Sequence, residues 1–502
     1  MAATTTRTGP QATQPFADLT EVLAALDGIA RVRDDGVEIQ DEGGFRGELI
    51  DRLIRTAVFG AEPARGASRW LIRTAAPRLG AFPASIHDLY LAGGRGQYKN
   101  ATAPAINVRG LTYDTMRTIF RAARQTENKI VLFELARSEM GYTEQRPAEY
   151  ASNALAAAIK EGHRGPVFIQ GDHYQISAKN YANDADAELL GLRDLVTEAI
   201  AAGYFNIDID ASTIVDLDLP TIAAQQTLNA RHTAELTRHI RELQPTGITI
   251  SIGGEIGEVG ARNSTLDDLH GFMGEYRREL ASQVEAAGAD LPGISKISVQ
   301  TGTSHGGVVL ADGSIEEVAV DFATLGELSR AAREEYGLGG AVQHGASTLP
   351  AEAFGRFAEA NAIEVHLATA FQNQLFDADA FPADLKDEIY AHLAANHADE
   401  RKTNQTDAQF FYTARKRAFG PFKRRMWDLP TETRDALMAN LLPTFELIMT
   451  RLGVAGSGTL VNRTVSPVEV PTAVPGALAA ALRGEAVTVS ASSEVYEQVE
   501  GE

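Results

Sequence analysis

A chain of 502 residues, 44% hydrophobic and 23% charged, carries enough apolar material for a barrel-sized core with additions, which excludes a protein that is disordered throughout. Its formal charge of -21 argues against nucleic acid as a partner, and the absence of cysteine excludes disulfides, thiolate metal sites and cysteine nucleophiles. Any metal must be held by His, Asp or Glu, and no apolar run reaches the roughly eighteen residues that a membrane span needs.

Residues 1–15 are Thr, Ala, Pro and Gln without periodicity, so a disordered start is expected. They lack the apolar core of a signal peptide, which predicts a cytoplasmic protein. Over 16–100 apolar residues recur three or four apart between Pro and Gly, predicting a helical extension without strands. From 101 to 375 the texture changes to strand and helix in alternation. APAINVRG reads as the first buried strand, KIVLFELA as the second, GPVFIQGDH as the third and YFNIDIDAS as the fourth. GITISIGGEIG, ISKISVQTGTSHG, AVQHGAS and IEVHLATAF follow as the fifth to eighth.

Eight β-branched apolar runs separated by helical segments predict a (β/α)8 barrel, because parallel strands are buried on both faces and read as continuous apolar stretches. Residues 376–452 return to helix and carry a local excess of positive charge, read as a solvated face packed on the barrel's outside or on a second subunit. The last segment, 453–502, is Val, Ala, Ser, Thr and Pro with little organisation and is expected to be poorly ordered.

In such a barrel the C-terminal strand ends converge on one site. Of eleven histidines, four lie at strand ends: His173, His305, His344 and His366. Three imidazoles with a carboxylate, here Glu255, make a catalytic zinc-type donor set. Asp172 has two readings, a carboxylate that orients a metal-bound histidine or a general acid/base beside the metal. Gly306, Gly345, Ser347 and Thr369 suit a phosphate cradle of N–H and hydroxyl donors.

In order and spacing these segments resemble the class II, metal-dependent aldolases of the fructose-bisphosphate and tagatose-bisphosphate type. The resemblance rests on Asp172-His173 after the third strand, EIGEVG (255–260) after the fifth, His305-Gly306 after the sixth and the His-Gly-x-Ser of 344–347 after the seventh. It implies a divalent metal, zinc first, on His173, His305 and His344, with Glu255 as a further or alternative ligand and a monovalent cation near the two glycine carbonyls. It further implies Asp172 protonating the aldehyde oxygen, Gly306, Gly345, Ser347 and Thr369 around a substrate phosphate, and Asn107 and Ser138 at polar barrel-end positions. The implied activity is reversible cleavage of a ketose bisphosphate, most simply fructose 1,6-bisphosphate to two triose phosphates, by a homo-oligomer.

Two departures bear on the proton-transfer step. Where the family's post-fifth-strand segment carries its base, this chain has Asn263, which cannot accept a proton; where the family has Asn-x-Asp-Thr-Asp, it has His366-Leu367-Ala368-Thr369-Ala370. Glu258, Glu139 or His366 is expected to supply the base, and His366 also counts among the substrate-contacting positions. Two other readings stay open: a retro-aldol or epimerase activity on another sugar phosphate, and a non-catalytic partner subunit of an aldolase.

Overall fold

The computed structural model describes residues 13–34, 36–257, 262–302, 310 and 320–487. Its centre is a closed barrel of eight parallel strands. In chain order these are β1 (Ala103–Asn107), β2 (Leu132–Ala136), β3 (Gly165–Gln175), β4 (Asn206–Asp210), β5 (Ser251–Glu255), β6 (Lys296–Val299), β7 (Ala341–Gln343) and β8 (Glu364–Leu367). Each pairs with its neighbours in sequence, and β8 closes the ring against β1. Every residue of β1, β2, β4, β6, β7 and β8 is buried, as strands covered by helices outside and side chains inside must be.

Two additions wrap this barrel. In the N-terminal one, helices Ile50–Phe59 and Ala64–Arg78 bury Leu53, Ile54, Ala57, Leu71 and Ile72 and pack on barrel helix Pro147–Lys160. Contrary to the expectation of helix alone, Ala30–Arg33 and Gly36–Ile39 form an antiparallel hairpin, and Ala81–Pro83 runs parallel to the start of β3. These strands are three or four residues long, too short for alternation to stand out from the flanking helical spacing. In the C-terminal addition, helix Thr431–Arg451 buries Leu437, Leu441, Phe445 and Ile448 against barrel helix Thr112–Gln125.

The expected disordered tail is corrected as far as residue 487. Helices Gly458–Thr464 and Gly476–Leu482 dock on helices His87–Gly94 and Leu19–Ala25 of the N-terminal extension, and the segment buries Val454, Val461 and Leu478. Lys129 N donates to Ser457 Oγ at 2.9 Å, and Trp70 Nε1 donates to the Thr472 carbonyl at 3.1 Å. Small apolar side chains seated singly in grooves give no periodic signal, which is why the segment reads as unorganised. Residues 488–502, like 1–12, lie outside the described residues.

Deleting everything after Leu452 should therefore lower stability by about 3 kcal/mol or more, from re-exposure of Val461, Leu478 and the Trp70 face. Denaturant unfolding of the shortened chain checks this, and an unchanged midpoint would show that the docking is energetically idle. Among the described residues, no helix is long and apolar enough to cross a membrane.

Candidate active site

The site is built on an irregularity in β3. Its register with β4 pairs Gly171 with Ile207 but Tyr174 with Ile209, so β3 carries one extra residue at Asp172–His173. In a regular strand these neighbours would point to opposite faces, whereas the bulge turns both toward the barrel mouth. His173 takes φ +38°, a backbone conformation that non-glycine residues hold only where the surroundings enforce it. Gly171 is needed beside it, because a Cβ there would run into the Tyr174 ring that the bulge folds back.

Around His173 gather the donors of a metal site. Ligand atoms of Asp172, His173 and His344 lie within 4.8 Å of one another, as do those of His173, Asp210 and Glu255. The His173 and His344 rings are 4.2 Å apart, and Asp210 Oδ2 and Glu255 Oε2 lie 3.1 and 3.2 Å from His173 Nδ1. Asp210 also accepts from Gln175 Nε2, Ser212 N and Ser212 Oγ at 2.8, 3.0 and 2.6 Å. Burial alone would raise its carboxyl, yet the hydrogen bonds from His173 and Ser212 hold it below the usual range. Mixed imidazole and carboxylate donors at this spacing fit a divalent ion such as zinc. His305, Gly306 and the proposed base Glu258 lie outside the described residues.

Beneath the donors the barrel lumen is charged rather than apolar. His366 on β8 stacks on His344 with ring centroids 4.0 Å apart. Its Nδ1 lies 3.0 Å from Glu134 Oε2 and 3.1 Å from Asp172 Oδ1, and its Nε2 lies 2.5 Å from Glu364 Oε1. Lys296 on β6, 1% exposed, donates to Glu364 Oε1 at 2.5 Å and to Asp208 Oδ2 and Gln170 Oε1 at 2.9 Å. Tyr90 from the N-terminal extension donates to the other Glu364 oxygen.

This setting splits the carboxyls. Burial and then the charge of Asp172 push Glu134 up to about 8. Burial also lifts Asp208 to about 6 against the pull of Lys296, whereas Lys296 and His366 overcome burial at Glu364 and hold it at about 2. His366 stays charged well above its ordinary range, since Glu134 and Asp172 outweigh its burial. Gly253 on β5 makes room for the network, because a side chain there would strike Asp208 and approach Lys296.

The mouth carries the remaining expected residues. Gly345 takes φ +68°, and Ser347 Oγ accepts from Ala370 N at 3.3 Å, which joins the loops after β7 and β8 and sets Ser347 beside Thr369 at the start of helix Thr369–Phe376. Asn107, buried at the end of β1, donates to Glu139, and Ser138 is half-buried in the first turn of helix Arg137–Thr143. Glu139 accepts from Arg109 Nε at 2.7 Å, Ala136 N at 3.0 Å and Tyr142 OH at 3.2 Å, so its carboxylate is committed. Asn263 Nδ2 sits 3.4 Å from Asp321 Oδ2. Over Tyr142 lies Lys416, its Nζ 5.7 Å from the ring centre and, among the described residues, in no ion pair or hydrogen bond. Burial and then the charges of Arg109 and Arg417 lower its pKa.

A family model described as fructose-bisphosphate aldolase class-II matches residues 95–420. The chain belongs to the class II fructose-bisphosphate aldolase family. A search of curated proteins gives no match. Among solved structures, a probable tagatose 6 phosphate kinase from Sinorhizobium meliloti is 20% identical with a TM-score of 0.50, covering 76% of this chain and 98% of its own. A fructose-bisphosphate aldolase from Campylobacter jejuni is 15% identical with a TM-score of 0.43, covering 75% of this chain and 96% of its own. A fructuronate-tagaturonate epimerase from Cohnella laeviribosi is 13% identical with a TM-score of 0.47, covering 86% of this chain and 90% of its own. At these identities the likenesses speak for the fold alone.

Within this class II aldolase frame, the structure brings Asp172, His173, Glu255 and His344 to one place and adds Asp210 as the carboxylate that orients His173. It turns His366 into the lumen, where both ring nitrogens lie against carboxylates. Glu134, Lys296, Glu364 and Lys416 were missed. For the first three a signal exists, a charged residue inside an otherwise apolar strand, which a lone buried charge could not occupy without a partner.

Proposed function

We propose that the protein is a zinc-dependent aldolase that reversibly cleaves a ketose bisphosphate, with fructose 1,6-bisphosphate as the simplest substrate. The observation that carries this reading is the convergence of Asp172, His173 and His344 within 4.8 Å at the mouth of a class II aldolase barrel. His173, His344 and the sequence-predicted His305 would hold the metal, with Glu255 as a further donor and Asp210 fixing the His173 ring. Bound there, zinc supplies a Lewis acid for the negative charge that develops on the ketone oxygen as the carbon–carbon bond breaks.

In the cleavage direction Asp172 takes the hydroxyl proton as the aldehyde forms, and in condensation it returns that proton to the aldehyde oxygen. The imidazolium of His366 aims the Asp172 carboxylate that does this. Gly345, Ser347 and Thr369 would surround one phosphate, and Lys416, with no anion of its own among the described residues, would meet the other. Since Glu139 is bound to Arg109 and His366 to its carboxylates, Glu258 is the residue left to move the carbon-bound proton.

Dihydroxyacetone phosphate in deuterium oxide separates these roles. Asp172→Asn should keep its metal and still exchange the carbon-bound proton while cleavage falls by about 10²- to 10⁴-fold. Glu258→Gln should keep its metal and lose the exchange. Metal lost in step with activity in Asp172→Asn would make Asp172 a ligand instead, and full exchange in Glu258→Gln would remove it as the base. Asn263 and His366 favour one second reading, an epimerase on another sugar phosphate, which would show as exchange with an epimerised product and no triose phosphate.

A further inference from the structure

At the barrel's N-terminal end, opposite the active site, lies a cavity of about 300 Å³. Its walls are the end of helix Thr112–Gln125, the loops entering β2 and β3, and residues Gly456–Thr459 of the docked tail. That volume is at the lower end of the range in which small ligands bind.

The charges around it are unbalanced in a chain that is otherwise strongly acidic. Arg124, Lys129 and Arg164 line the cavity together with two carboxylates, Glu127 and Glu161. Glu161 is already held by Arg117 Nε at 2.8 Å and Arg121 Nη2 at 2.9 Å, so it neutralises none of the three. Arg124 gives Nη1 to the Glu161 carbonyl at 3.1 Å and Lys129 gives Nζ to Asn462 Oδ1 at 3.2 Å; among the described residues neither meets a carboxylate. Arg164 is turned outward onto Glu42. One face is aromatic, where the His163 ring lies 4.8 Å from that of Phe120, tilted by 43°. Burial and then the charge of Lys129 keep His163 neutral, its pKa down at about 4, so it contributes an apolar surface rather than a further charge.

We propose that this cavity binds a small phosphate monoester, its phosphoryl group between Arg124 and Lys129 and its carbon part against Phe120 and His163. Arg124 and Lys129 outnumber Glu127, the one wall carboxylate that no arginine holds among the described residues, and this local excess of positive charge in a chain of net charge -21 favours an anion. The tail wall, Gly456–Thr459, lies beyond the residues matched by the family model, so the cavity is an addition to the barrel rather than part of its catalytic frame. It sits at the feet of β2 and β3, the strands that carry Glu134, Asp172 and His173. The site is independent of the reaction proposed above.

The test is calorimetric titration of the full chain with glycerol 1-phosphate, comparing wild type with the Arg124→Gln/Lys129→Gln double variant and with Lys416→Gln, each confirmed as folded by circular dichroism. Removing both cations should weaken one binding event by about 100-fold and leave any event at the barrel mouth and the triose phosphate turnover unchanged. Lys416→Gln should leave the first event intact. Tungstate soaked into crystals of the full chain should give its density between Arg124 and Lys129. Binding of equal strength in wild type and the double variant, or tungstate only at the barrel mouth, would overturn the proposal.

Discussion

His173→Ala should lose its metal, and its kcat/KM should fall by about 10³-fold or more, while the far-ultraviolet circular dichroism stays that of the wild type. The size follows from what the residue does twice over. It would supply a metal donor in both clusters of the mouth, one with Asp172 and His344 and the other with Asp210 and Glu255, so neither of these two sets survives without it. A bound divalent ion contributes several kcal/mol to stabilising developing charge, and each 1.4 kcal/mol is a tenfold change in rate. Asp210→Asn gives the graded version: the ligand remains but its orienting carboxylate goes, and metal affinity should drop by about 10- to 100-fold. Elemental analysis alongside steady-state kinetics reads both, and a His173→Ala protein that still holds metal and turns over would contradict the site as drawn.

Lys296→Met should destabilise the fold first of all. Lys296 is the cation between Asp208 and Glu364, both buried, and its loss leaves two carboxylates in the lumen with His366 as the remaining cation beside them. Breaking a buried pair from one side costs about 3 to 5 kcal/mol, which for a chain of this size lowers the thermal midpoint by roughly 3 to 5 °C. Adding Asp208→Asn and Glu364→Gln to the same chain removes the stranded charges and should recover part of the loss. A single variant that melts with the wild type would mean that the lumen charges are solvated and not held as an ion-pair network. Since Glu364 also accepts from His366 at the ring nitrogen turned away from Asp172, the same substitution should loosen the aim of Asp172 and reduce turnover in the surviving folded fraction.

What the sequence made legible follows from how local each signal is. The barrel could be read because buried parallel strands are written as uninterrupted apolar runs, and Asp172, His173 and His344 because strand-end His-Gly and Asp-His pairs keep their spacing along the chain. The bulge could not be read: it depends on register against β4, which no residue of β3 declares. Lys296 and Glu364 are 68 positions apart and become partners only when the barrel closes. Lys416 belongs to a run of charge that looks like any solvated helical face until the chain folds it over Tyr142. The tail to residue 487 and the hairpin at 30–39 were misread for a related reason, since each is fixed by what it packs against and neither carries a periodicity of its own.

The most direct test of the central claim joins metal to turnover in one measurement. The purified protein is stripped with a chelator and then given back zinc in substoichiometric steps, while triose phosphate release from fructose 1,6-bisphosphate is followed at each step. The stripped protein should release no triose phosphate, and turnover should return linearly and saturate at one zinc per chain. Full turnover without metal, or a protein that takes up no zinc, would contradict it.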